Sequence, residues 1–423
     1  MKMKPLENHA TKGILWAFLP FWIFLVFFKF GGALHYSLVS PLGERFLPLW
    51  IVGLLMGGGS LVQLILDVPA GYLLDRFGYL RLLKFTTFFF ILAAVCIVSG
   101  LTTVTYILSI IMATAGWLFF GPGVNAYVLA QAPTASAGRF MSLRDISGSL
   151  GVVFASAILP FVLVLAPEYM GLILMILLGL ALITLFFCPK DTVSVHAEKK
   201  LETHHYYIRR HYVHDLLKSI GKLNPASTLL LLLNLVASTF YGIIWFVVPL
   251  VIAHQANTGL LGLGLGVFDF AVVVLGYALG NLADKTDKRT LIFFGLLIFS
   301  ICGMLLGFNY GWLFLLFGFL ATSGDEMAGI SLWSWMHALD KEHAADGQVA
   351  GVINLAEDLG WAIGPIAAGI LYELIGGSWT IVCGAVPIVI VWVVYQFMIR
   401  KFPIKKLDMA SIPRKPHRAR HKK

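Results

Sequence analysis

The stretch Gly71-Tyr72-Leu73-Leu74-Asp75-Arg76-Phe77-Gly78-Tyr79-Leu80-Arg81-Leu82-Leu83 decides how this chain is read. It stands where a long apolar run, beginning near Leu47, meets a basic loop, and a second apolar run follows at once. Asp75 and Arg76 cannot rest in hydrocarbon, whereas Gly71 permits close backbone approach and Gly78 permits a reversal. A related stretch, Gly280-Asn281-Leu282-Ala283-Asp284-Lys285-Thr286-Asp287-Lys288-Arg289-Thr290-Leu291-Ile292, occurs in the second half of the chain. Asp75 and Asp284 lie about 209 positions apart in a chain of 423 residues, so an internal duplication is the natural reading.

Composition points the same way. Only 13% of the residues are charged, about half the share of a soluble domain, and the mean hydropathy is +0.85. A soluble fold could not hide so much apolar surface; a bilayer accepts it. About twelve apolar runs of roughly 20 residues can be drawn, each long enough to span some 30 Å of hydrocarbon. The four cysteines, Cys96, Cys188, Cys302 and Cys383, all fall in or at the ends of such runs, where packing is a better reading than disulfides or zinc.

The net charge of +9 is not spread in the manner of a nucleic-acid-binding surface. Lys and Arg gather at alternate ends of the apolar runs, from Lys2 and Lys12 through Arg76, Arg81 and Lys84, Arg139 and Arg144, the segment 190–222, 285–289 and 400–423. The other set of loops holds only Arg45. By the positive-inside rule both termini and the central loop are cytoplasmic, which requires an even number of spans. The apolar run after Lys12 has no small-residue cleavage site behind it and is read as a retained first helix.

The pattern Gly-x-Leu-x-Asp-Arg-x-Gly at 71–78 resembles the signature between the second and third helices of the major facilitator superfamily, and the stretch from Gly280 through Asp284 resembles its weaker copy between the eighth and ninth. Two departures are visible: Tyr79 and Leu80 replace the usual basic pair, with Arg81 displaced by one, and Asp287 stands where the second copy should have its second glycine. The resemblance implies an all-α membrane protein of twelve transmembrane helices in two six-helix bundles, residues 1–188 and 226–400. A cytoplasmic linker, 189–225, joins them, and a basic cytoplasmic tail, 401–423, follows. It also implies that helices one, four, seven and ten line a central cavity while the fifth and eleventh rock against the second and eighth.

Within that frame, charges at membrane depth are the candidate site. Lys29 lies near the middle of the first run, 13–40, with His35 further along, and a lysine there is expensive unless it faces a cavity or a partner acid. Snorkelling or a structural ion pair is the plainer alternative. Asp67, in an acidic-x-Pro-x-Gly arrangement with Pro69 and Gly71, reads as structural because it lies near a helix end. Gly121-Pro122-Gly123 marks a kink in the fourth helix, 105–131, beside the polar Asn125. Arg144 and Asp145, shallow in the fifth helix, read as a self-satisfied pair at a cytoplasmic gate rather than as substrate contacts.

In the second half, Asp269 is a lone acid in the outer part of the eighth helix, and Asp325 and Glu326 are adjacent at the centre of the tenth. Neighbouring residues of a helix point about 100° apart, so one acid can face the cavity and the other a neighbouring helix. Two adjacent carboxyls in hydrocarbon cannot both stay ionised cheaply, which makes this pair the leading candidate for a proton carrier; an ion pair with Lys29 is the alternative. Glu357 and Asp358 repeat the theme in the eleventh helix, beyond Asn354. Gly360, Gly364, Pro365 and Gly369 follow and resemble a gating signature that the superfamily carries on its fifth helix and that is associated there with antiporters. Small residues at this spacing also simply pack helices.

The linker holds His204, His205, His211 and His214 among tyrosines and arginines, a composition suited more to a membrane surface than to a metal. No nucleotide-binding Gly-x-x-x-x-Gly-Lys-Ser/Thr occurs, so the energy must come from an ion or substrate gradient. The reading is a transporter without cofactor or metal, not an enzyme. It is a monomer in the cell membrane whose partners are a small-molecule substrate, protons and lipid, not nucleic acid. Acids outnumber Lys29 in the core, which suits protons with cationic or neutral substrates. Proton-coupled export of small amphipathic or cationic compounds leads. Uptake of a metabolite such as a sugar or nucleoside, and a receptor or scaffold that transports nothing, are the alternatives.

Overall fold

The computed structural model describes residues 16–131, 137–189, 225–254, 262–308, 311–339 and 347–401. The linker 190–224 with its histidines, and the tail 402–423, lie outside the described residues. In chain order the helices are α1 Leu19–Gly43, α2 Leu49–Phe77, α3 Tyr79–Val98, α4 Thr103–Gln131, α5 Ala137–Leu163 and α6 Pro167–Phe186. The second half continues with α7 Pro225–His254, α8 Gly262–Lys285, α9 Lys288–Leu306 and α10 Trp312–Leu339. The final element, Gly347–Lys401, turns at Gly376, whose φ of 77° no longer belongs to a helix. Its arms, 347–375 and 377–401, are α11 and α12. Among the described residues there is no strand.

Ten of the described helices are long and apolar enough to cross a membrane. One of them, Leu355–Phe397, is 43 residues long, about twice what a 30 Å hydrocarbon layer needs, and contains the turn at Gly376. With the shorter apolar stretch Leu263–Gly276 in α8, the described helices are consistent with the twelve-span reading.

Two reversals show what the signature stretch does. α2 ends at Phe77 and α3 begins at Tyr79, so Gly78 alone makes the turn, at φ 88° and ψ 146°. That φ is one a side chain rarely tolerates, and the Gly78 N–H closes α2 onto the Leu74 carbonyl at 3.0 Å. In the second copy the matching residue, Asp287, sits at φ −61° and ψ 120°, an ordinary extended conformation. That turn needs no glycine, which accounts for the departure seen in the sequence.

Helix ends differ from expectation where local chemistry intervenes. The break in α4 separates Thr103–Trp117 from Phe120–Gln131 and therefore precedes Gly121-Pro122-Gly123. Pro122 has no N–H, and its ring collides with the carbonyl four residues back, at Leu118, so the irregularity falls there. The α4 start is set by Thr102, which accepts from the Thr105 N–H while the Thr105 hydroxyl accepts from the Thr102 N–H.

α1 and α7 run in the same direction, as a duplication requires: Glu44, just beyond α1, meets His254, the last residue of α7, at 3.0 Å. Lipid supplies no hydrophobic drive between helices, so close packing must hold them. α11 illustrates how. A Cβ at Gly360 would stand 2.5 Å from the Leu235 carbonyl of α7, and one at Gly364 would stand 2.5 Å from that of Thr239. On the other side of α11, a Cβ at Gly53 of α2 would meet the Pro365 carbonyl at 2.3 Å, and one at Gly369 the Leu49 carbonyl at 2.3 Å. Each half also has an aromatic core: Phe28 stacks on Phe120 with centroids 4.2 Å apart, and Phe299 lies against Phe240 and Tyr241.

Candidate functional site: a charged cluster between the halves

Five helices bring ionisable side chains to one region. Lys29 lies about 15 Å along α1 from its start, near mid-membrane. Its stem rests on α5, where a Cβ at Gly151 would stand 2.9 Å from the Lys29 Cβ. Its ammonium lies 5.1 Å from the ring centroid of Trp117 and 5.3 Å from that of Phe120, both on α4. Ring faces carry negative quadrupole charge and hold a desolvated cation. The same ammonium is within electrostatic reach of Asp269, Arg144, Asp145 and Glu357.

On α5, Arg144 forms an ion pair with Asp145, its Nε donating at 2.9 Å, and its Nη1 donates to the Asn125 side-chain oxygen of α4. This pair was expected at a shallow gate. It is within electrostatic reach of Lys29, as Asp145 is of Glu326, so the pair and the deeper charges feel one another. Arg144 stands about 10 Å along α5 from its start at Ala137.

One turn further on, the Ser149 hydroxyl donates to Asp269 of α8 at 3.0 Å, a bond that joins the two halves at mid-depth. Asp325 and Glu326 divide as their 100° separation predicts. Asp325 accepts from the Tyr241 hydroxyl of α7 at 2.9 Å, within its own half. Glu326 instead lies within electrostatic reach of Asp145 of the first half and of Asp269 of its own. Glu357 of α11 closes the ring through its charge interactions with Lys29 and Asp325. Lys29, Asp269, Asp325 and Glu326 are half-buried, and Glu357 and Asp145 are exposed, so the cluster borders open space rather than a sealed core. Asp358 is half-buried on the adjoining face of α11.

The remaining candidates lie elsewhere. Gly360, Gly364, Pro365 and Gly369 form the packing stripe between α7 and α2. Arg76 lies over the Phe77 ring at 5.4 Å, and it and Arg81 are exposed beside the Gly78 turn. The side chains of Asp75 and Asp284, and the surroundings of Gly71 and Gly280, lie outside the described residues. Sequence reading missed Tyr241, Ser149, Trp117 and Phe120, whose residue types are ordinary in apolar helices. It also missed Glu373, whose carboxylate accepts from the Leu49 and Trp50 N–H groups at the start of α2. A carboxylate that close to a helix end was signal enough to ask which N-terminus it caps.

Contacts between halves run along the end that carries Glu44. They include Glu373 on α2, Glu44 with His254, the Ser40 hydroxyl on the Phe246 carbonyl at 2.8 Å, and Gly266 of α8 against Val153 and Ser156 of α5. Deeper in, Tyr36 meets Trp245 and Trp361 edge-on.

A family model described as Major Facilitator Superfamily matches residues 13–362 and 230–420. Among solved structures, a POT family transporter in complex with 5-aminolevulinic acid aligns with a TM-score of 0.65 at 12% identity, over 92% of this chain and 96% of that one. A D-xylose-proton symporter aligns with a TM-score of 0.63 at 16% identity, over 89% and 97% respectively. A POT family transporter in complex with a thioalcohol conjugated peptide gives 0.63 at 14% identity, over 92% and 96%. No curated protein matches the chain in sequence. At these identities the solved structures speak for the fold; the family match speaks for kinship, and by it this chain belongs to the major facilitator superfamily of membrane transporters.

Proposed function

We propose that the chain is a proton-coupled exporter of small amphipathic or cationic compounds, working by alternating access to the charged cluster. The observation that carries this reading is the balance of charge between the halves. The first half contributes Lys29 and the Arg144–Asp145 pair, whereas the second contributes the carboxyls of Asp269, Asp325, Glu326 and Glu357. Several carboxyls facing one free-standing lysine in a low dielectric are best satisfied by protons or by a cationic guest. Asp325 or Glu326 is the proposed proton carrier, Lys29 the internal cation that competes with the guest, and Trp117 and Phe120 the ring faces to which a displaced cation can move. The Gly78 turn and the α11 stripe are the proposed gating elements, with Asp75 bracing the end opposite to Glu44.

Metabolite uptake by proton symport is a second reading, favoured by the likeness to a D-xylose-proton symporter. A panel of ethidium, D-xylose and 5-aminolevulinic acid, offered to purified protein in proteoliposomes under an imposed pH gradient, separates the two. Accumulation of ethidium against the proton flow supports export. Accumulation of xylose or 5-aminolevulinic acid with the proton flow supports uptake, and no movement of any of them would leave the receptor or scaffold alternative.

A further inference from the structure

The Glu44 end of the molecule is poor in charge. Its loops and helix ends carry Glu44, Arg45, Glu168, His254 and Glu373 along the sequence. Histidine is the only residue type among these that ordinarily gains or loses a proton between about pH 5 and 8. His254 is the last residue of α7 and Glu44 the first beyond α1, so the two belong to opposite halves. The His254 Nε2 lies 3.0 Å from the Glu44 carboxylate. Their side chains are 50% and 35% exposed, so protons from solvent reach the pair directly.

Two elements flank the end of α7. The end of α1 brings Glu44 and Arg45, and an arginine keeps its charge throughout that range. One turn deeper the same seam is held by the Ser40 hydroxyl, which donates to the Phe246 carbonyl at 2.8 Å. The other element is the turn at Gly376, where a Cβ at Gly377 would stand 3.3 Å from Val247 and 3.4 Å from Val251. Tyr372 and Glu373 precede this turn, and Glu373 is engaged by the Leu49 and Trp50 N–H groups. Glu168 stands in the first turn of α6. Glu44 is the acid that pairs with His254.

A neutral imidazole offers that carboxylate one ordinary hydrogen bond. An imidazolium offers a charge-assisted one, about twice as strong, and stands beside the negative end of α1. Both gains last only while the halves touch. We infer that His254 and Glu44 form an acid-tightened latch: proton uptake by His254 favours closure of the Glu44 end, and proton loss frees that end to open. Linkage gives the sign. A proton held more tightly by the closed arrangement stabilises that arrangement in return, so the stabilisation is present in acid and fades as pH rises. The latch is separate from the mid-depth carboxyls and independent of the compound carried.

Spin labels on cysteines at Val104 and Trp312, on a cysteine-free background, test this. Both positions are exposed at the Glu44 end, one at the start of α4 and the other at the start of α10. Pulsed electron paramagnetic resonance on the detergent-purified full chain reads the distance between them. In wild type the ratio of short to long distances should rise about two- to fivefold from about pH 8 to about pH 5.5. His254→Gln and Glu44→Gln should each reduce that rise by the same factor, and the double variant should reduce it no further. A ratio that does not change with pH in wild type overturns the latch. An undiminished rise in either single variant also overturns it, and assigns the response to the mid-depth carboxyls.

Discussion

Asp325 and Glu326 are neighbours in sequence with different surroundings, and that difference makes their roles separable. Asp325 receives the Tyr241 hydroxyl, whereas Glu326 is within electrostatic reach of Asp145 across the interface and of Asp269 in its own half. Asp325→Asn and Glu326→Gln are therefore to be measured for both uphill transport and substrate exchange. Loss of uphill transport with retained exchange at one position identifies the proton carrier; normal accumulation by both variants moves the assignment to Glu357 or Asp358. Tyr241→Phe removes one donor to a carboxylate, worth on the order of 1 kcal/mol, so uphill transport should fall about fivefold while exchange and thermal stability change little. An equal fall in both activities would mean that Tyr241 only packs. The acids were legible in the sequence because charge in an apolar run has no ordinary explanation. Tyr241 was not, since an aromatic residue in such a run looks like packing and its partner lies 84 positions away.

Helices were legible in approximate extent, because apolar length and basic loop ends are strong signals, and their irregularities were legible only where one residue controls them. Gly78 is such a residue, and so is Pro122 once the break is placed at its i−4 carbonyl. Pairing between helices was not legible, because helices that meet through glycine faces leave no charge pattern to match. Glu373 is the telling instance: from the far half it caps the start of α2, which the preceding Pro48 leaves without a side-chain cap. Such a carboxylate is worth roughly 0.3–2 kcal/mol, up to about thirtyfold in a two-state ratio. Glu373→Gln should weaken closure of the Glu44 end, raising the labelling rate of a cysteine at Trp50. The superfamily resemblance gives Asp75 a matching part at the opposite end, beside the start of α11. Asp75→Asn should then impair transport and raise labelling near the ends of α2 and α11 there, leaving the cysteine at Trp50 slower to label. Unchanged labelling in either variant would reduce that carboxylate to local capping.

The whole molecule is two bundles whose described contacts gather at one end while charges from both converge at mid-depth. The basic loops predict that the Gly78 end is cytoplasmic, so single cysteines at Glu44 and His204, on a cysteine-free background, should label from opposite sides of the membrane. Labelling from the same side would break the repeat on which the rest depends. The coupling claim meets its most direct test in proteoliposomes preloaded with ethidium and a pH indicator, diluted with no pH gradient imposed. An exporter that exchanges protons for substrate must take protons in as ethidium leaves. The wild-type interior should therefore acidify in step with efflux, and the Asp325→Asn, Glu326→Gln double variant should not acidify. An interior that turns alkaline would mean symport, and ethidium efflux with no change of internal pH would contradict proton coupling at this site.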